Sequence, residues 1–97
     1  MFRSNRNSLN AEVAADLRAT HEIIKNTVAE GSFSVGREDG SFRVVQRGTA
    51  YSIYVSFNFN EFPTSMWSQI RQNITSMVVK MASSNGFYVP SSAVHFQ

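Results

Sequence analysis

Tyr51-Ser52-Ile53-Tyr54-Val55-Ser56-Phe57-Asn58-Phe59-Asn60 carries Tyr, Ile, Val, Phe and Phe at its odd positions and mostly small polar residues at its even ones. A period of two predicts a β-strand that buries one face and wets the other. Upstream, Asp39-Gly40 is the strongest short hairpin signal, and a two-residue turn there pairs Glu38 with Ser41, Val35 with Val44 and Phe33 with Gln46. Gly48-Thr49, with Gly first as a type II′ turn requires, pairs Arg47 with Ala50. Both turns put Phe33, Val35, Phe42, Val44, Tyr51, Ile53 and Val55 on one side, so the stretch becomes the third strand of an antiparallel meander. Val45 is the one large aliphatic residue left on the other side.

That other side holds Ser32, Ser34, Arg43, Val45, Arg47, Ser52, Tyr54, Ser56 and Asn58, with Arg43 directly across from Tyr54. Guanidiniums beside a tyrosine and a field of hydroxyls suit stacking on, and hydrogen bonding to, a base, a nucleotide or a partner side chain. The candidate binding residues are therefore Arg43, Arg47, Tyr54, Ser52, Ser56 and Asn58. The plain alternative is a solvated sheet face, which antiparallel sheets commonly have. Self-association through Val45 and Tyr54 is a third use.

Outward from the meander, a first helix is expected from about Asn10 to Glu30, with Ser8 or Asn10 as N-cap, Glu12 and Asp16 early, and Gly31 as C-cap. Its apolar stripe is Leu9, Val13, Leu17, Ile24 and Val28. His21 stands at the edge of that stripe and reads as a boundary residue rather than a catalytic one. Downstream, Pro63 stops the long strand, and Thr64 or Ser65 caps a second helix that runs to about Ser84 and closes at Asn85-Gly86. Met66, Trp67, Ile70, Ile74, Met77, Val78 and Met81 recur at helical spacing as the lid on the sheet. The three methionines read as core filling. Val79 falls on the opposite face, a hint of an interface. The tail from Phe87 to Gln97 alternates weakly, and Pro90 confines it to a sheet edge. A crossover through the second helix lays it parallel to the long strand, where it or another chain must cover Phe57 and Phe59.

The expected fold is α+β in the order α-β-β-β-α-β: a three-stranded antiparallel meander, a C-terminal edge strand beside it, and two helices packed on one face. Residues 1–7 read as a flexible arm in which Arg3 and Arg6 could touch a polyanion, and residues 8–97 as a single domain. A chain of 97 residues buries about 60–65% of its unfolded surface, enough for one modest core. Hydrophobic residues make up 42% and charged ones only 16%, which excludes a disordered composition and leaves a weakly charged surface on which association is inexpensive. A net charge of +2 permits phosphate binding without arguing for it.

The chain has no cysteine, so disulfides, thiol chemistry and Cys-based metal sites are excluded. Its start, Met1-Phe2-Arg3-Ser4, opens no apolar run, and nothing reaches the length of a membrane span, so the expectation is a cytoplasmic protein with no membrane partner. There is no Gly-rich phosphate loop, no metal-spaced cluster, no nucleophile elbow and no paired carboxylates, so neither a catalytic residue, a metal nor a cofactor is expected.

The order helix, three-stranded meander, helix resembles that of double-stranded RNA-binding domains and of the signal-recognition-particle Alu-binding proteins. The former grip phosphates with lysines at the start of the second helix. Here that start is Thr64-Ser65-Met66-Trp67-Ser68-Gln69, without a lysine, so no residue role carries over. The expectation is a non-enzymatic binding protein, a homo-oligomer acting on a protein partner through the open sheet face or the exposed helix face. Nucleic-acid or nucleotide binding through Arg43, Arg47 and Tyr54 is the alternative, and a small enzyme the least favoured reading.

Overall fold

The computed structural model describes residues 25 to 97. The expected arm with Arg3 and Arg6, the body of the first helix, and His21 lie outside the described residues. Within them the fold is α+β: β1 (Thr27–Val35), β2 (Glu38–Arg47), β3 (Ala50–Ser56), helix α1 (Trp67–Ser84) and β4 (Val94–Phe96), with single 3-10 turns at Phe59–Glu61, Thr64–Met66 and Ser91–Ala93. The sheet has the order β1-β2-β3-β4, antiparallel except that β4 runs parallel to β3, as a crossover through a helix demands.

The first hairpin turns at Gly36-Arg37, not at Asp39-Gly40. Val35 pairs with Glu38, and Gly36 takes the positive φ of 62° that a tight hairpin turn asks of its first residue. Phe33 therefore faces Gly40 instead of Gln46. A slip of six positions is even, so every side chain keeps its expected face although none keeps its expected partner.

The reason for the slip lies in two reciprocal pairs. Phe33 opposes Gly40, and Phe42 opposes Gly31. Each ring lies over the glycine across from it: a Cβ built on Gly40 would fall 2.4 Å from Cζ of Phe33, and one on Gly31 2.5 Å from Cζ of Phe42. A ring that covers a strand glycine restores the apolar burial that the missing side chain forfeits. Both glycines read as punctuation in the sequence, and both are interior strand residues. The expected first helix is accordingly corrected at its end: Thr27 to Glu30 are strand, and Gly31 caps nothing.

The second hairpin is as expected, with Arg47 paired to Ala50 and Gly48 at φ 64°. The stretch from Tyr51 to Asn60 is strand only as far as Ser56. At Asn58 the side chain accepts a hydrogen bond from the Asn60 amide at 3.0 Å, and the chain coils into the 3-10 turn. That bend folds the aromatic residues together instead of extending them: Phe57 stacks on Phe33 and on Phe62, and Phe59 lies against Trp67 and against Phe96 of the tail.

Phe42, Val44, Ile53 and Val55 on the sheet and Ile70, Ile74, Val78 and Ala82 on α1 form one buried cluster, closed by Phe33 and Val89. A fully buried aliphatic side chain of this kind contributes about 1.5–3 kcal/mol, and Val44, Ile53, Val55, Ile74 and Val78 are all completely buried. The lid is narrower than expected at its start. Met66 lies in the preceding 3-10 turn and is exposed, while Val79, expected to face solvent, is half-buried against the cluster. The helix stops where Asn85-Gly86 was expected to stop it: Gly86 has φ 90°, and the Phe87 amide donates to the Ala82 carbonyl at 2.9 Å.

Candidate functional site

The face of the sheet away from α1 carries a row that crosses all four strands: Glu30, Arg43, Tyr54 and His95 stand side by side. Register places each of them. Arg43 opposes Glu30 on one side and Tyr54 on the other, and the parallel β4 sets His95 beside Tyr54. The side chains follow the backbone. Arg43 Nη1 lies 3.4 Å from Glu30 Oε1, and the rings of Tyr54 and His95 are 5.1 Å apart at a tilt of 34°. Arg47, two residues along β2 from Val45, donates from Nη1 to the Tyr54 hydroxyl at 3.0 Å.

Three of the residues picked from sequence, Arg43, Arg47 and Tyr54, thus meet in one group, and the structure adds Glu30 and His95 to it. Ser52, Ser56 and Asn58 are apart from it. Ser52 opposes Val45, while Ser56 and Asn58 line a shallow cleft of about 410 Å³ with Glu38, Asp39, Gly40, Ser41 and Phe57. Asn58 is further committed by its bond to the Asn60 amide. The face consequently has two characters, aromatic and cation-bearing in the middle, acidic and hydroxyl-rich at the end where Ser34 donates to Asp39 at 2.7 Å.

Val45 stands on this same face yet is completely buried, at 0% exposure. A side chain already removed from water offers no area to a second copy, so Val45 adds nothing to the accessible surface of this face. On this face Arg43, Ser52 and Tyr54 are half-buried, and Ser41, Arg47 and Ser56 are exposed.

Elsewhere, Arg71 of α1 lies over two rings, 4.6 Å from the centre of Phe96 and 5.3 Å from that of Phe59, and fixes the C-terminal strand to the helix. A second cleft of about 370 Å³ opens beside it, lined by Arg71, Gln72, Thr75, Ser76 and Ser91. The Thr75 hydroxyl there is occupied by the Arg71 carbonyl at 2.8 Å. Among the described residues no three His, Asp or Glu side chains converge as a metal site, and no helix is long and apolar enough to cross a membrane.

Glu30 escaped sequence reasoning because it fell inside the expected first helix. His95 escaped it because a C-terminal histidine shows its neighbour only once the parallel register is known. No family model matches the chain, and no curated protein or solved structure is significantly similar to it.

Proposed function

We propose that the chain is a non-enzymatic binding protein that recognises a protein partner through the Arg43, Tyr54 and His95 surface and works as a homo-oligomer. The observation that carries this reading is that both arginines of the face are engaged within the chain, Arg43 by Glu30 and Arg47 by Tyr54. A polyanion would have to compete with Glu30 for Arg43 and would meet Asp39 at the end of the same face. A half-exposed, aromatic and hydroxyl-bearing surface with Arg43 ion-paired instead matches the composition of a protein interface. The first helix, read from about Asn10 to Glu30 and corrected at its end to strand from Thr27, belongs to this proposal, as does a cytoplasmic location. The exposed face of α1 is the weaker candidate surface, since Val79 packs inward.

The test compares partners captured from lysate by the wild-type chain, by Tyr54→Ala and by Arg43→Ala, with quantitative mass spectrometry as the readout. The reading expects the same protein to be lost by both variants; equal capture by all three baits refutes it.

One observation favours a second reading. Tyr54 and His95 present two adjacent rings within reach of Arg47, an arrangement on which a base of single-stranded nucleic acid could stack. That reading expects oligonucleotide binding at low salt that falls with salt and with Arg43→Ala or Arg47→Ala. Absence of binding at low salt removes it.

A further inference from the structure

The two edges of the sheet are unequal. β4 offers only three residues, Val94–Phe96, and reaches the sheet through Pro90 and the 3-10 turn Ser91–Ala93. β1 is nine residues long and pairs with β2 along one side. Among the described residues no strand lies on its other side. Protein edges of this length are normally blunted by lysine, proline or a bulge. β1 has neither of the first two, and its one bulge sits at the start, between Thr27 and Ala29. From Ala29 to Val35 the ladder is regular, with Glu30 as its single charge.

We propose that Ala29 to Val35 pairs antiparallel with the same segment of a second copy, about a two-fold axis at Ser32. Parity, charge and the number of residues paired select that register, since only an axis at Ser32 pairs the whole stretch from Ala29 to Val35. Only pairings that set even residues against even ones keep Phe33 and Val35 on the core side of both sheets. An axis at Glu30 would oppose two carboxylates, which is destabilising. An axis at Gly31 would run the ladder into the bulge. With the axis at Ser32, Ala29 stands across from the partner's Val35, Glu30 from the partner's Ser34 and Gly31 from the partner's Phe33, so no two charged residues face each other.

Such an interface is isologous and closes at two copies, because the β4 edge is too short and too bent to extend the ladder. Two four-stranded sheets become one of eight, and the Arg43, Tyr54 and His95 surfaces of both copies come to lie on one face. This inference rests on the homo-oligomer part of the proposed function and assigns the surface that makes it.

The absence of native cysteine makes the test direct. Side chains across an antiparallel two-fold have Cβ atoms about 4.5–5.5 Å apart, close enough for a disulfide after a small adjustment. Ser32→Cys under mild oxidation is expected to give a covalent dimer at micromolar concentration, and Ser91→Cys, remote from β1, is not. Sedimentation equilibrium is expected to give twice the chain mass for the wild type and the single mass for Ser32→Lys, whose far-UV circular dichroism reports whether it is folded. A wild-type dimer in which Ser32→Cys does not crosslink overturns the edge assignment while leaving oligomerisation in place. A wild-type monomer overturns both.

Discussion

Gly40→Ala is a one-carbon substitution that tests the register of the first hairpin. The new Cβ would fall 2.4, 2.7 and 3.0 Å from three atoms of the Phe33 ring, where unstrained carbons keep more than 3.4 Å. The ring must retreat by about 1 Å, against Phe57 stacked on it at 5.8 Å, which in turn leans on Phe59 and Phe62. Inserting a carbon into a packed site of this kind costs about 1–3 kcal/mol. Gly40 does not have positive φ, so alanine is allowed by the backbone and recovers about 0.4–1 kcal/mol of unfolded-chain entropy. The net expectation is a loss of about 1–2 kcal/mol, or a fall in Tm of roughly 5–15 °C for a domain of this size. Urea and thermal melts followed by circular dichroism and by Trp67 fluorescence measure it. A glycine in a hairpin turn could show a similar loss, so the decisive experiment is the cycle with Phe33→Leu. If the ring is the obstacle, Phe33→Leu removes most of the cost of Gly40→Ala, and the two substitutions are non-additive by about 1 kcal/mol or more. Additive losses would refute the pairing of Phe33 with Gly40.

Three further outcomes follow from the same geometry and are read by the same melts. Val45→Asp places a charge at a fully buried position and is expected to cost more than about 3 kcal/mol or to prevent folding, whereas a solvent-facing strand position would tolerate it within about 1 kcal/mol; proteolytic susceptibility checks it independently. Arg71→Ala removes two cation–π contacts and is expected to cost about 1–2 kcal/mol, with faster hydrogen exchange at the Gln97 amide, which donates to the Val55 carbonyl at the β3–β4 join. Tyr54→Phe deletes the acceptor for Arg47 on an exposed surface and is expected to change stability by less than about 1 kcal/mol, which leaves it usable as a binding-surface variant.

The faces of the sheet were legible in the sequence because alternation survives an even slip, and the second hairpin was legible because Gly48 has no rival nearby. The first hairpin was not. Gly36-Arg37 and Asp39-Gly40 are both acceptable turn dipeptides three residues apart, and what separates them is the placement of Phe33 over Gly40 and Phe42 over Gly31, which is tertiary packing rather than local chemistry. The same packing explains why Gly31 looked like a helix stop and Thr27 to Glu30 like a helix end. The strand that seemed to reach Asn60 ends at Ser56 because Asn58 bends the backbone and the aromatic residues then bury one another, which alternation alone does not encode. The pairing of Arg43 with Tyr54 followed from the correctly read second turn. Glu30 and His95 enter only through the corrected first hairpin and the parallel last strand.

Native mass spectrometry of the chain purified from cells measures copy number and bound molecules together, and it bears most directly on the proposed function. The account predicts an even number of copies carrying a protein partner that Tyr54→Ala loses. A single copy that carries nucleotide or nucleic acid would contradict it.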